Sequence, residues 1–254
     1  MAREASAEMR LARLIGTWFL LPFVIGGCRA SVVTSYATPE GLTADENGLR
    51  VGPLEPRGSI RSDWLRAEDQ RDRIFEQTDA GGRTRVVRTA ERVGSGVEIV
   101  TRAEGSDEPI RIVLLDEEGG QLRTTRVESG GITNEFTPGA IYLPAQLNAG
   151  ERIEESFLVR SDGRGIRGES GTGTVRIEGL GSQRIATPSG LYDAFVFRWE
   201  MQLKVGAATI SLRQTAWVDR DEGLVAETAR DRVAVFGIPI RRKDLVSVLS
   251  EVRP

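Results

Sequence analysis

The residues whose types and spacing could do chemistry are few, and each group fails on context. Gly163-Arg164-Gly165-Ile166-Arg167-Gly168 satisfies the three-glycine dinucleotide pattern. That pattern works by seating a phosphate at the amino terminus of a helix. The stretch that follows, Glu169 to Glu178, reads as glycine-rich strand, so the six residues are expected to form a hairpin loop. Gly168-Glu169-Ser170-Gly171-Thr172-Gly173-Thr174 has the glycines of a phosphate loop but lacks its lysine. Asp219-Arg220-Asp221-Glu222-Gly223 brings three carboxylates to a turn. A calcium loop counted from Asp219 would need a ligand where Gly223 stands and a glutamate where Arg230 stands, so a solvated hairpin end is the better reading. Asp116-Glu117-Glu118 is read the same way.

Histidine is absent and Cys28 is the only cysteine. The side chain that most often moves protons near neutral pH is therefore missing, together with the commonest nitrogen ligand for transition metals. Serine chemistry would have to recruit a lysine, and Lys204 lies beside Glu200 and Gln202 on a strand face, the setting of a surface lysine. A pair of carboxylates for glycoside hydrolysis would have to meet at a defined separation, and nothing selects one pair among 37 acidic residues. No catalytic, cofactor-binding or metal-ligating residue is assigned. The chain reads as a non-enzyme that needs no cofactor.

The amino terminus carries the one specific signal. Met9-Arg10-Leu11-Ala12-Arg13 supplies positive charge, Leu14 to Ile25 is largely apolar, and Gly26-Gly27-Cys28 follows. These are the three parts of a secretory signal. The apolar stretch is broken by Pro22 and falls short of the roughly 20 residues that span a bilayer as a helix. Ile25-Gly26-Gly27-Cys28 resembles the lipobox of bacterial lipoproteins. The resemblance implies removal of residues 1–27, acylation at Cys28 and stable membrane attachment through more than one acyl chain. Arg29 is not the aspartate that retains enterobacterial lipoproteins in the inner membrane, which implies an outer-membrane protein facing the periplasm. Glu4 and Glu8 dilute the positive segment, so Met9 makes a cleaner start than Met1.

Charge excludes one partner class. The chain has 34 basic and 37 acidic side chains, a formal charge of -3, with no clustered basic excess of the kind nucleic acid requires. Lysine occurs only at Lys204 and Lys243. Arg241-Arg242-Lys243 is read as a charged turn before the last strand.

Residues 28–58, with Pro39, Gly41, Gly48, Pro53 and Pro56, read as a tether or irregular lead-in, and residues 59–254 as an antiparallel β domain. Residues 60–78 fit strand pieces or a short helix, with strand preferred. Beyond them, Arg83 to Arg92, Gly96 to Ala103, Ile110 to Asp116, Gln121 to Glu128 and Ile132 to Phe136 are short β-branched runs between glycine-bearing turns. In Leu191 to Val205, Phe195, Phe197, Trp199, Met201, Leu203 and Val205 alternate with mostly polar residues, and Gly206 turns the chain into Thr209 to Val218. Leu224 to Val235 and Leu245 to Val252 complete the array. The expected fold is mainly β: a single antiparallel, strongly curved sheet forming a half-barrel or barrel, with little helix.

Ile185-Ala186-Thr187-Pro188-Ser189-Gly190-Leu191-Tyr192-Asp193-Ala194-Phe195, Tyr142-Leu143-Pro144 and Trp217-Val218-Asp219 with Gly223 resemble the motifs of an uncharacterised family of bacterial secreted or envelope β-domains. Its architecture is similar to the lipoprotein-carrier group, whose curved sheet surrounds an apolar cavity. Architecture does not carry function; the lipobox, the one-sided long hairpin and the absence of His and of a second Cys point to a non-catalytic, membrane-anchored envelope lipoprotein that binds an apolar ligand or lipid, or an envelope protein partner. The alternatives are a structural envelope protein without ligand and a carboxylate-dependent polysaccharide hydrolase.

Overall fold

The computed structural model describes residues 39–65, 71–163 and 166–254. Its strands, in chain order, are β1 (Thr43–Ala44), β2 (Arg50–Glu55), β3 (Ser59–Arg61), β4 (Asp72–Asp79), β5 (Gly82–Val93), β6 (Gly96–Ala103), β7 (Pro109–Glu118), β8 (Gln121–Ser129) and β9 (Ile132–Leu143). There follow β10 (Gln146–Asn148), β11 (Arg152–Gly163), β12 (Ile166–Thr187), β13 (Gly190–Val205), β14 (Ala208–Asp219), β15 (Gly223–Val235) and β16 (Ile238–Arg253). One 3-10 turn, Ser62–Leu65, is the only helical piece among the described residues.

The sheet runs β12-β11-β9-β8-β7-β6-β5-β4-β16-β15-β14-β13, and β13 pairs back onto β12. It is therefore a closed antiparallel barrel of 12 strands. Closure leaves no free edge to template aggregation. The long hairpin expected from the alternation at Phe195 to Val205 is present as β13–β14, with Phe197, Trp199, Met201 and Leu203 opposite Ala216, Gln214, Leu212 and Ile210.

Alternation decides what faces inward. Along β11 to β14 the inward row holds Phe157, Val159, Val175, Ile177, Trp199, Met201, Leu203, Ile210 and Leu212, all buried in the main core. Two glycines of β12 make that packing fit. A Cβ on Gly173 would stand 2.3 Å from the Phe157 ring and 2.6 Å from Leu203, and one on Gly179 would stand 2.2 Å from the Asn148 carbonyl oxygen. The Gly168–Thr174 run is thus strand backbone with the Phe157 ring packed against Gly173, and the dinucleotide-like pattern starts at the last residue of β11 and ends within β12.

Outward rows carry charge. Arg176 binds Glu154 at 2.8 Å, Arg152 and Arg198 both approach Glu178, and Arg213 binds Glu200 at 2.6 Å. Barrels that face hydrocarbon place an apolar band there, so this outer surface faces water.

One mouth of the barrel is crossed by the segment from Gly58 to Leu65. β3 pairs with β10, Ile60 and Leu147 are fully buried in the core, and the Ser62 hydroxyl donates to the Gly120 carbonyl at 2.6 Å. The Trp64 carbonyl lies against Gly223, on the opposite side of the ring from Gly120. The described residues between 60 and 78 accordingly combine the two shapes open to them, strand and a single helical turn.

Two stretches differ from their sequence reading. Part of the proline- and glycine-bearing lead-in is paired backbone: β1 pairs with β2, β2 extends onto the end of β12, and Leu49 and Val51 are buried in a second cluster with Ile185, Val196 and Trp217. Its apolar residues are too widely spaced to show a period. Arg241-Arg242-Lys243 is not a turn but lies within β16, where Lys243 binds Asp79 at 3.0 Å. Its run of charge hides an alternation in which the outward Arg242 pairs with Asp244 at 2.9 Å.

Candidate functional site

The inward row changes character on the other side of the barrel. Cross-strand register lines up Gln77 of β4 with Ser247 of β16 and Ser247 with Glu227 of β15. It also lines up Arg88 of β5 with Thr101 of β6 and Thr101 with Arg111 of β7. These two rows, with Val113, Ala229, Val233 and Leu245 of the main core between and beside them, form a largely polar wall facing the apolar one.

At its centre the Arg88 guanidinium donates to Glu227 Oε1 at 2.7 Å, and Gln214 Nε2 donates to Glu227 Oε2 at 2.7 Å. Arg88 also stacks over the Phe75 ring, 4.8 Å from its centroid. Burial works against the Arg88 charge, but the charge of Glu227 and its hydrogen bond outweigh it and raise the Arg88 pKa. Tyr142 enters the same group from β9; burial pushes its phenol up, while Arg88 pulls it down.

Arg111 is the odd member. Burial, and after it the like charge of Arg88, lower its pKa, and its buried Nε has no hydrogen-bond partner. Gln77 and Ser247, 3% and 0% exposed, each carry a buried oxygen without a partner. Orphan buried polar atoms are uncommon, and each calls for an explanation such as an ion, a water or a ligand.

Towards the opposite mouth, Asp231 is 1% exposed and its Oδ1 has no partner among the described residues. Burial pushes its carboxyl up to about 6 against the opposing pull of Arg241 and Lys243. The hairpin joining β15 to β16 at that mouth exposes Phe236 and Ile238 to 67% and 66%. Phe236 sits there at φ +51°, in the left-handed region.

Sequence reasoning assigned Cys28 as its one site residue, and Cys28 lies outside the described residues. It missed the polar wall, whose register rows come from six strands, β4 to β7, β15 and β16. Tyr142 stands in a motif that the sequence singles out, Tyr142-Leu143-Pro144, and Lys243 in another. In the turn motif, the Ser189 hydroxyl donates to the Leu249 carbonyl at 3.0 Å and accepts from Tyr192, and Trp217 Nε1 donates to Gln183 Oε1 at 2.8 Å. Those residues hold together the second cluster, which meets the polar wall at Phe75, under Arg88. The Asp219–Gly223 carboxylates lie at the β14–β15 turn, where Asp219 caps the backbone N–H groups of Asp221 and Glu222. Glu117 binds Arg92 at 2.8 Å. Among the described residues there is no group of three or more metal-ligating side chains.

Fold and site together define a closed, water-facing antiparallel barrel with one capped mouth and a two-sided interior. No protein-family model matches the chain. No curated protein matches it in sequence. Among solved structures it is similar to a candidate lipoprotein of Parabacteroides distasonis, with 13% identity, TM-score 0.45, and 75% of this chain and 98% of that one covered. It is also similar to a candidate exported protein of Bacteroides fragilis with a YmcC-like fold, with 13% identity, TM-score 0.39 and 74% and 97% covered. A third is the hypothetical lipoprotein YmcC of Escherichia coli, with 10% identity, TM-score 0.39 and 76% and 91% covered.

Proposed function

We propose that this chain is a lipid-anchored protein of the bacterial cell envelope whose barrel binds a ligand in its interior and performs no chemistry on it. One observation carries the binding half: adjacent inward side chains, Gln77 and Ser247, are fully buried with an unsatisfied oxygen each. Leaving such a group unpaired costs about 1–3 kcal/mol, a penalty that a bound molecule removes. The anchoring half rests on Ile25-Gly26-Gly27-Cys28 behind a positive and then apolar segment. Attachment at Cys28 places the domain outside the cytoplasmic membrane, on the outer membrane facing the periplasm by the resemblance of Arg29.

The test is intact-mass analysis of protein extracted gently from its native membrane, in native and denaturing conditions. The expected result is a mature chain beginning at an acylated Cys28, with a further non-covalent mass that denaturation releases. An unacylated chain, or one still carrying residues 1–27, overturns the anchor. A native mass equal to the denatured one overturns retention of a ligand.

A second reading has an observation of its own. The exposed Phe236 and Ile238 at the β15–β16 hairpin suit docking on an envelope protein partner. Loss of co-purifying protein on Phe236→Ser with Ile238→Ser is the expected result.

A further inference from the structure

One cation inside the barrel stands without a partner. Arg88 has Glu227 at 2.7 Å, Lys243 has Asp79 at 3.0 Å, and Arg73 donates through Nε to the Glu222 carbonyl at 3.0 Å. Among the described residues Arg111 has neither an ion-pair nor a side-chain hydrogen-bond partner, and its buried Nε is unsatisfied. The Glu227 carboxylate, the one acid close enough to act on it, has one oxygen held by Arg88 and the other by Gln214. Burial, and after it the repulsion of Arg88, which outweighs the attraction of Glu227, lower the Arg111 pKa. A partly buried cation without a counter-ion is unfavourable in a folded protein. A guanidinium is also the group best shaped to hold a carboxylate or phosphate through paired N–H donors.

We infer that Arg111, with Tyr142 as a neighbouring hydroxyl donor, is the binding site for an anionic group of the carboxylate or phosphate class, held inside the barrel. The inference rests on the binding reading above and names its ligand chemistry. Tyr142 suits the role because burial keeps its phenol protonated and able to donate. Glu227 is then a competitor for the same cations as well as the partner of Arg88.

The experiment is thermal denaturation of the full mature domain at constant ionic strength, with inorganic phosphate, decanoate or decanol as the probe. Phosphate or decanoate raises the melting temperature above matched sodium chloride, and decanol does not. A shift with phosphate marks a free anion as the ligand, and one with decanoate alone marks an amphiphile. Arg111→Met weakens the responding anion about tenfold or more, as expected for one lost charge-assisted contact. In the absence of probe it melts no lower than the parent, because an uncompensated charge has been removed. A clear drop in that unliganded melting temperature would assign Arg111 a structural role and overturn the inference. Glu227→Gln is the second variant. It keeps the shape, frees Arg88 from its counter-charge and tightens anion binding. Equal responses to decanoate and decanol overturn the anion while leaving a binding barrel; no response to any of the three probes overturns the anion too, and the retained mass in native spectra then decides the binding reading separately.

Discussion

The two walls inside the barrel are built on opposite principles. The β11–β14 wall is held by shape. Phe157 meets Phe136 edge-on at 5.5 Å and lies over Gly173, and Trp199 reaches across to donate its indole N–H to the Ile141 carbonyl at 3.0 Å. The wall from β4 and β5 through β15 and β16 is held by charge, with Arg88–Glu227 and Lys243–Asp79 as its fixed points. Dispersion and the hydrophobic effect reward the first wall for excluding water, and nothing in it asks for another molecule. The second wall carries desolvation costs that are only partly offset, and its leftover donors and acceptors make it the side that can recognise something.

Removing one member of the central ion pair should break that contrast most. Glu227→Ala leaves Arg88 buried beside Arg111 with no carboxylate near. A loss of about 3–5 kcal/mol is expected in urea denaturation, as for other half-broken buried pairs. Replacing both members, Arg88→Met with Glu227→Leu, should recover most of it. If the double variant is as unstable as the single one, the pair is not an electrostatic unit and the polar wall is held by shape as well.

The Asp231 carboxyl gives the polar wall a pH signature. Its folded-state pKa stands raised from 3.8 to about 6, so between those values the unfolded chain releases the proton while the folded one keeps it. The folded state thus binds more protons, and stability falls as pH rises from about 4 to about 6, by about 3 kcal/mol before it levels off. Asp231→Asn should flatten that slope and be the more stable protein above pH 6. Urea midpoints at pH 4, 5, 6 and 7 measure both, and an unchanged slope in the variant would show that another group sets it.

Legibility in the sequence followed the same division. The closed antiparallel sheet was readable because alternation over Phe195 to Val205 and glycine turns at short spacing are local signals. Most strands after residue 82 fall where the β-branched runs place them. The polar wall was not readable. Arg88 and Glu227 are far apart in the chain, and an inward arginine on a strand looks the same in sequence as an outward one. Only register, with its bulges at Trp217/Val218 and Leu249/Glu251, decides which face each takes. Arg241-Arg242-Lys243 shows the same limit at short range, since three consecutive charges conceal one inward lysine.

On the apolar wall a methyl group added at Gly173 should cost about 1–3 kcal/mol through overpacking, because the Phe157 ring and the Leu203 side chain already occupy its place. Gly173→Ala combined with Phe157→Leu should cost less than the sum of the two single changes, which double-mutant denaturation would show. Strict additivity would mean that the ring does not rest on the glycine.

The smallest effect separates shape from hydrogen bonding within the apolar wall. Trp199→Phe removes the indole donor to Ile141 while keeping an aromatic ring among Phe197, Met201 and Ile177. The acceptor left behind lies where β9 departs from the wall, since β9 pairs with β11 only over residues 132–137. A loss of about 1–2 kcal/mol is expected from the unmet carbonyl and the smaller ring together. Amide exchange can locate it: protection should fall first around Ile141 and Leu143, because the indole is the strut that ties that departing end to the opposite side. If protection falls evenly across the barrel instead, the tryptophan acts by filling volume alone.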